Sequence, residues 1–223
     1  MFWKRAGLGV VFACGAILAL HLPLAKPLLA RIGGCPVGRL TPAAVERAQH
    51  VAIRARRGAT PAPARPAIGF SLEAATRSDV ESWARARAID CTSSRQGALL
   101  KCDRVPAEAL AEGGAEALDE IAFGFRLADH KLINLTTLRS GLEAEPARRR
   151  FAAISARLSG ALGAAPAGRL PAPGWNGEAP AFVSYRFSDY IAEVSSMRLP
   201  GRGVVLREHY LSARESAGDR SAN

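Results

Sequence analysis

Ile121, Phe123, Phe125 and Leu127 alternate with Ala122, Gly124 and Arg126. Large apolar side chains at every second position predict a strand buried on one face only. No other feature narrows the possible folds as much, and the pattern has company on both sides. Residues 89–93 and 98–102 flank the turn Ser94-Arg95-Gln96-Gly97 and read as a hairpin. Asp129-His130-Lys131 turns the chain so that 132–138 pairs back. Later, Val183, Tyr185 and Phe187 alternate through 182–187, Ser188-Asp189 turns, and 190–197 returns. Pro200-Gly201-Arg202-Gly203 then leads into a last strand over 204–211.

A helix precedes each set of strands. Thr76 is placed to cap one running to Ala88, with Val80, Trp83, Ala84 and Ala88 on one face. A second covers 147–162, with Phe151, Ile154, Leu158 and Leu162 in phase, and Gly163 stops it. The expected class is α+β: an N-terminal apolar helix, then two helix-plus-antiparallel-sheet modules at 68–142 and 143–212, with a polar tail at 213–223. Residues 164–180, rich in Pro and Gly, read as a loop.

The start of the chain predicts export. Lys4 and Arg5 precede an apolar run from Ala6 to Leu20, broken by His21 and Pro23 and closed by Lys26. A basic start followed by such a run marks a signal or a first membrane helix. Residues 6–25 are just long enough to cross a bilayer core of roughly 30 Å. Residues 1–25 are therefore expected to be a signal or membrane anchor. Pro23 three residues before a cut at Ala25 suits peptidase poorly, which favours retention. Ile32-Gly33-Gly34-Cys35 also resembles a lipobox, although Lys26 and Arg31 separate it from the apolar run. Residues 26–67 follow as a juxtamembrane helix, 42–57, and a stiff Pro/Ala linker, 59–67.

Four cysteines are present. Cys91 and Cys102 fall on the two arms of the expected hairpin, where an extracytoplasmic compartment allows a disulfide. Two buried thiols are the alternative. Cys14 lies in the apolar run and Cys35 is left over. No CxxC spacing supports zinc or thioredoxin chemistry.

Phe70-Ser71-Leu72, the helix start Thr76-Arg77-Ser78-Asp79-Val80, the Cys91/Cys102 pair and Phe123-Gly124-Phe125 together resemble modules of the β-lactamase inhibitor protein family and of SmpA/OmlA-type envelope lipoproteins. The inhibitors carry two tandem modules, and a Cys pair on the same hairpin is known among them. The resemblance implies a protein-binding module without catalytic residues.

The net charge of +10 comes mostly from arginines scattered along the chain, densest at Arg54, Arg56, Arg57 and at Arg148, Arg149, Arg150. No aromatic side chains interleave with them, which argues against nucleic acid. Anionic lipid or an acidic protein fits such a balance. No HExxH, P-loop, dinucleotide or G-x-S-x-G motif occurs, and no cofactor is expected. Glu208 and His209 are adjacent on a strand and point to opposite faces. Tyr185, Arg186, Asp189 and Tyr190, with Arg207 and His209 on a neighbouring strand, form the densest polar-aromatic cluster, a composition favoured at binding hot spots. Trp175 in the Pro/Gly loop is a further candidate anchor. On the other reading Tyr185 and Phe187 are core, the rest is a hairpin tip, and Trp175 is a plug packed on the sheet. The function expected is binding to an envelope protein by a membrane-tethered, extracytoplasmic chain. The alternatives are an anionic membrane surface met by helix 42–57, or a hydrolase built around Asp189 and His209.

Overall fold

A computed structural model describes residues 51–110 and 117–214. The apolar segment 1–25, Cys14, Cys35, most of the helix expected at 42–57 and the tail beyond 214 lie outside the described residues. No described helix is long and apolar enough to cross a membrane. The chain divides into two compact units, 1–52 and 53–223, and the architecture below belongs to the second.

The fold is α+β. A small ladder joins β1 (Pro66–Ala67) to β2 (Phe70–Ser71). Helix α1 (Arg77–Arg85) follows, then β3 (Cys91–Ser94), β4 (Leu99–Val105), β5 (Leu118–Phe125) and β6 (Leu132–Leu142). Helix α2 (Ala144–Leu162) leads to β7 (Ala167–Arg169), β8 (Ala181–Arg186), β9 (Tyr190–Leu199) and β10 (Gly203–Ser212). Strands β3 to β10 form one antiparallel sheet of eight in the order β3-β4-β5-β6-β10-β9-β8-β7.

The two helix-plus-sheet segments are thus halves of a single sheet, joined where β6 pairs with β10. The physical reason is the edge problem. Left alone, β6 would expose the unpaired backbone of 11 residues, a template for aggregation. Pairing with β10 leaves only short edges, the four residues of β3 and the three of β7.

Local chemistry explains the helix ends. Thr76 and Asp79 form a reciprocal capping box, with the Thr76 amide 2.8 Å from Asp79 Oδ2. Helix α1 stops at Arg85, short of the expected Ala88, which adopts a left-handed φ of 52° in the turn toward β3. Helix α2 ends at Leu162 because Gly163 takes the left-handed conformation, φ 59° and ψ 25°.

Both helices cover the same face of the sheet. Val80 and Trp83 of α1 meet Phe70 and Phe123, with the three rings edge-to-face at centroid distances of 5.0–5.7 Å. Phe151, Ile154, Leu158 and Leu162 of α2 join Leu135, Tyr185, Val194 and Leu206 in the same core.

Three expectations are corrected. Residues 59–67 are a packed strap rather than a linker. The Thr60 carbonyl accepts from the Ser188 amide (2.8 Å), Ala62 donates to Asp189 Oδ1 (2.9 Å), Arg65 pairs with Asp189, and the Pro66 carbonyl accepts from the Tyr190 hydroxyl (2.5 Å). A Pro/Ala segment keeps its carbonyls free, and the 187–190 turn uses them. Residues 164–180 are also tied down. They supply β7, and Arg198 donates from its amide to the Gly177 carbonyl (2.7 Å) and from its guanidinium to the Asn176 carbonyl (3.0 Å). Finally, the strand carrying Ile121, Phe123 and Phe125 ends at Phe125. The turn closed by Arg126 N–H to the Lys131 carbonyl (2.9 Å) leaves Leu127 54% exposed.

Candidate functional site: the open sheet face

Directly opposed residues of an antiparallel pair share a face, so register shows what the face away from the helices carries. One row runs Asp103, Glu120, Leu138, Arg207, Ser195, Phe182, Arg169 from β4 to β7. The next runs Thr92, Lys101, Ala122, Thr136, His209, Glu193, Ser184. A third runs Ser94, Leu99, Gly124, Asn134, Leu211, Ile191, Arg186. Among the described residues α1 and α2 lie on the other face, and only the helical turn through Ile53 touches this one. In the second and third rows β5 and β6 carry the short side chains of Ala122, Gly124, Thr136 and Asn134, with longer ones on β4 and β10 as banks.

Part of the β8–β10 end is occupied by the start of the unit. Ile53 packs against Ile191, Leu211 and Ala213, and Arg56 pairs with Glu193. The Gly58 amide bonds the Phe187 carbonyl at 3.2 Å. A Cβ on Gly58 would run into the Arg186 backbone carbonyl, so the arm's close approach requires glycine there. Burial pushes the Glu193 carboxyl up, but hydrogen bonds from His209 and Arg56 outweigh it and bring it down to about 2.

The residues singled out from the sequence divide between the two faces. Tyr185 and Tyr190 are buried under the helices. The Tyr185 hydroxyl lies 2.7 Å from the Ser155 carbonyl and 2.9 Å from Ser159 Oγ, so both tyrosines are core, as their phase with Val183 and Ala192 dictates. Trp175 is partly buried against that core, its Nε1 donating to the Ala179 carbonyl at 2.6 Å. Arg186, Arg207 and His209 share the open face, His209 Nδ1 standing 3.5 Å from Glu193 Oε2. Asp189 holds the strap. Burial raises its carboxyl, and the Ala62 amide and Arg65 more than offset that. Asp189 and His209 therefore have separate partners and are not brought together.

A second cluster lies on the helix face, at the seam between the halves. Glu208 is 2% exposed and Arg139 4%. Glu208 Oε1 accepts from Arg139 Nη1 (2.9 Å) and Thr137 Oγ1 (3.3 Å), and Oε2 from Arg157 Nη2 (3.1 Å) and the Tyr210 hydroxyl (2.5 Å). Burial, with the Glu208 charge beside it, pushes the Tyr210 hydroxyl well above its ordinary value. Strands β6 and β10 and helix α2 each contribute, so this carboxylate bolts the halves together. The sequence carried a signal for it: Glu208 is in phase with Leu206 and Tyr210, and Arg139 with Leu135.

Cys91 and Cys102 are bonded, facing each other in register on β3 and β4 with Cα atoms 4.0 Å apart. Among the described residues no group of three or more His, Cys, Asp or Glu is arranged to hold a metal ion. No protein-family model, curated protein or solved structure matches this chain.

Proposed function

We propose that this chain is a membrane-tethered, extracytoplasmic binding protein that engages a protein partner in the cell envelope through the open face of its sheet. The observation that carries the reading is the one-sided covering of an eight-stranded sheet. Seven strand spacings of about 4.8 Å make that face about 34 Å wide, and six residues per strand make it about 20 Å deep. The product is about 700 Å²; with the strip where Ser184, Ile191 and Leu211 are buried subtracted, the face is that of a small interface, below the roughly 800 Å² per partner of a standard one. The disulfide supports an oxidising compartment, and the basic start with its apolar run supports tethering. The tandem halves support the likeness to the β-lactamase inhibitor modules, under which binding needs no catalytic residues.

The test has two parts. Fractionation and intact mass of the expressed protein establish tethering: an intact Met1 in the membrane fraction supports it, and a chain starting near Lys26 in the soluble fraction removes it. Photo-crosslinkers placed at Thr136 on the open face and at exposed Ala156 on α2 locate the binding surface. Protein adducts from Thr136 and not Ala156 are expected; adducts from Ala156 alone would refute the choice of face.

A further inference from the structure

Resting on that reading of the face, we infer that its β7–β10 end is built for an acidic protein surface, one that sets carboxylates on both sides of an apolar side chain. Arg169, Phe182, Ser195 and Arg207 lie side by side across β7, β8, β9 and β10. The two arginines stand about 14 Å apart, three strand spacings. Between them Phe182 is 36% exposed, and Met197, two residues along β9 from Ser195, is 41% exposed. Ser195 is short, so the aromatic ring and the thioether border a dip. Arg, Phe and Met are the side chains enriched where proteins meet.

Charge selects the occupant. Neither Arg169 nor Arg207 forms an ion pair among the described residues. The carboxylates of the nearby strands are held by other cations: Glu193 by Arg56, Glu208 by Arg139 and Arg157. At the far end of the face Lys101 bridges Asp103 and Glu120, at 3.2 and 2.9 Å, so both carboxylates there already have a cation beside them. A carboxylate brought to Arg169 or Arg207 meets an available guanidinium and displaces no internal partner. A bilayer fits less well, because Phe182 and Met197 sit within strands with more than half of each side chain covered, 36% and 41% exposed.

The test uses the full chain in neutral detergent and two labelled synthetic peptides. One has Glu on both sides of a Leu-Phe pair, and the other has every Glu replaced by Gln. Fluorescence anisotropy should show the Glu peptide binding about tenfold more tightly than the Gln peptide, and weakening about tenfold between about 50 and about 500 mM salt. Arg169→Glu with Arg207→Glu should raise its Kd by about tenfold or more, and Phe182→Ala by about threefold. Lys101→Glu, on the other half of the face, should leave it unchanged. Circular dichroism checks that the exposed charge reversals leave the fold intact. Failure of the Glu peptide to bind, binding indifferent to Arg169 and Arg207, or equal loss on Lys101→Glu overturns the inference. So does Arg169- and Arg207-dependent sedimentation with phosphatidylglycerol vesicles when the peptide does not compete. Thr136 crosslinks that persist in any of these cases would leave the open-face reading standing without it.

Discussion

Replacing Glu208 by Leu should destabilise this protein far more than its position on a strand suggests. The substitution conserves much of the volume but removes the acceptor for four donors at 2.5–3.3 Å. Arg139, 4% exposed, has no other carboxylate partner among the described residues. An uncompensated buried cation left this way costs about 3–5 kcal/mol. Arg157 is better placed to recover, since its side chain is 30% exposed and can reach water. Glu208→Gln keeps the shape and one acceptor and should cost about 1.5–3 kcal/mol. The decisive comparison is Arg139→Met combined with Glu208→Leu, which removes both charges. It should be more stable than Glu208→Leu alone, giving a coupling energy of at least about 2 kcal/mol in a double-mutant cycle. Urea unfolding followed by far-UV circular dichroism measures all four corners. A neutral Glu208→Leu, or strictly additive changes, would refute the argument that a desolvated charge network closes the seam.

Alkylation before and after reduction should find Cys91 and Cys102 linked in protein purified without reductant, and replacing both by Ala should cost about 3 kcal/mol for a loop closed over a sequence separation of 11; peptide mapping that finds two free thiols contradicts this. Glu193 has a folded value near 2, below its ordinary 4.5. Its contribution is therefore present above about pH 4.5 and is lost as pH falls toward 2. Allowing for solvent contact it amounts to about 1–2 kcal/mol, and Glu193→Gln should flatten the fall of stability across that window in acid titration. Limited proteolysis should leave 59–67 intact in the native chain, and Asp189→Ala, which removes the acceptor for the Ala62 amide and Arg65, should make that strap the first cleavage site; early cutting of the unaltered chain would show that the strap is not held.

What the sequence made legible were the local rules. The Thr76–Asp79 box sits at its own helix start, Gly163 stops α2, and the alternations around Phe123 and Tyr185 place those side chains under the helices. Opposed cysteines in a short hairpin needed only the turn at 94–97. Non-local pairing was not legible. Nothing in 132–142 or 203–212 announces that these strands meet, because their patterns specify a face and no neighbour. Strand β7 is too short to alternate, and its Ala-Gly-Arg reads as loop until Phe182 is opposite Arg169. The Pro/Ala composition of 59–67 is that of a linker, and only the carbonyl acceptors needed by the 187–190 turn make it a strap. The hot-spot cluster mixed two phases: Tyr185 and Tyr190 point into the core, while Arg186, Arg207 and His209 point out.

The seam raises the question of why a charge is buried there when apolar side chains would pack with less desolvation cost. Register offers an answer. The β6–β10 ladder is irregular between Val204 and Leu206, where Leu142 and Arg139 are successive partners and β6 carries an extra residue. Gly141, with a φ of 71°, donates to the Arg202 carbonyl there at 2.7 Å. Beside such a bulge a slip by two residues would keep every apolar side chain on its face, so hydrophobic phase alone cannot fix the pairing. Glu208 meets Thr137, Arg139 and Arg157 together in the observed register; a slip by two in one direction would set the carboxylate opposite Leu135, and in the other opposite Arg139 and away from Thr137. The apolar pair Arg139→Met with Glu208→Leu should therefore retain compactness and lose uniqueness, visible as doubled backbone amide resonances for β6 and β10. A single sharp set of resonances from that variant would mean that the bulge and the 200–203 turn set the register unaided.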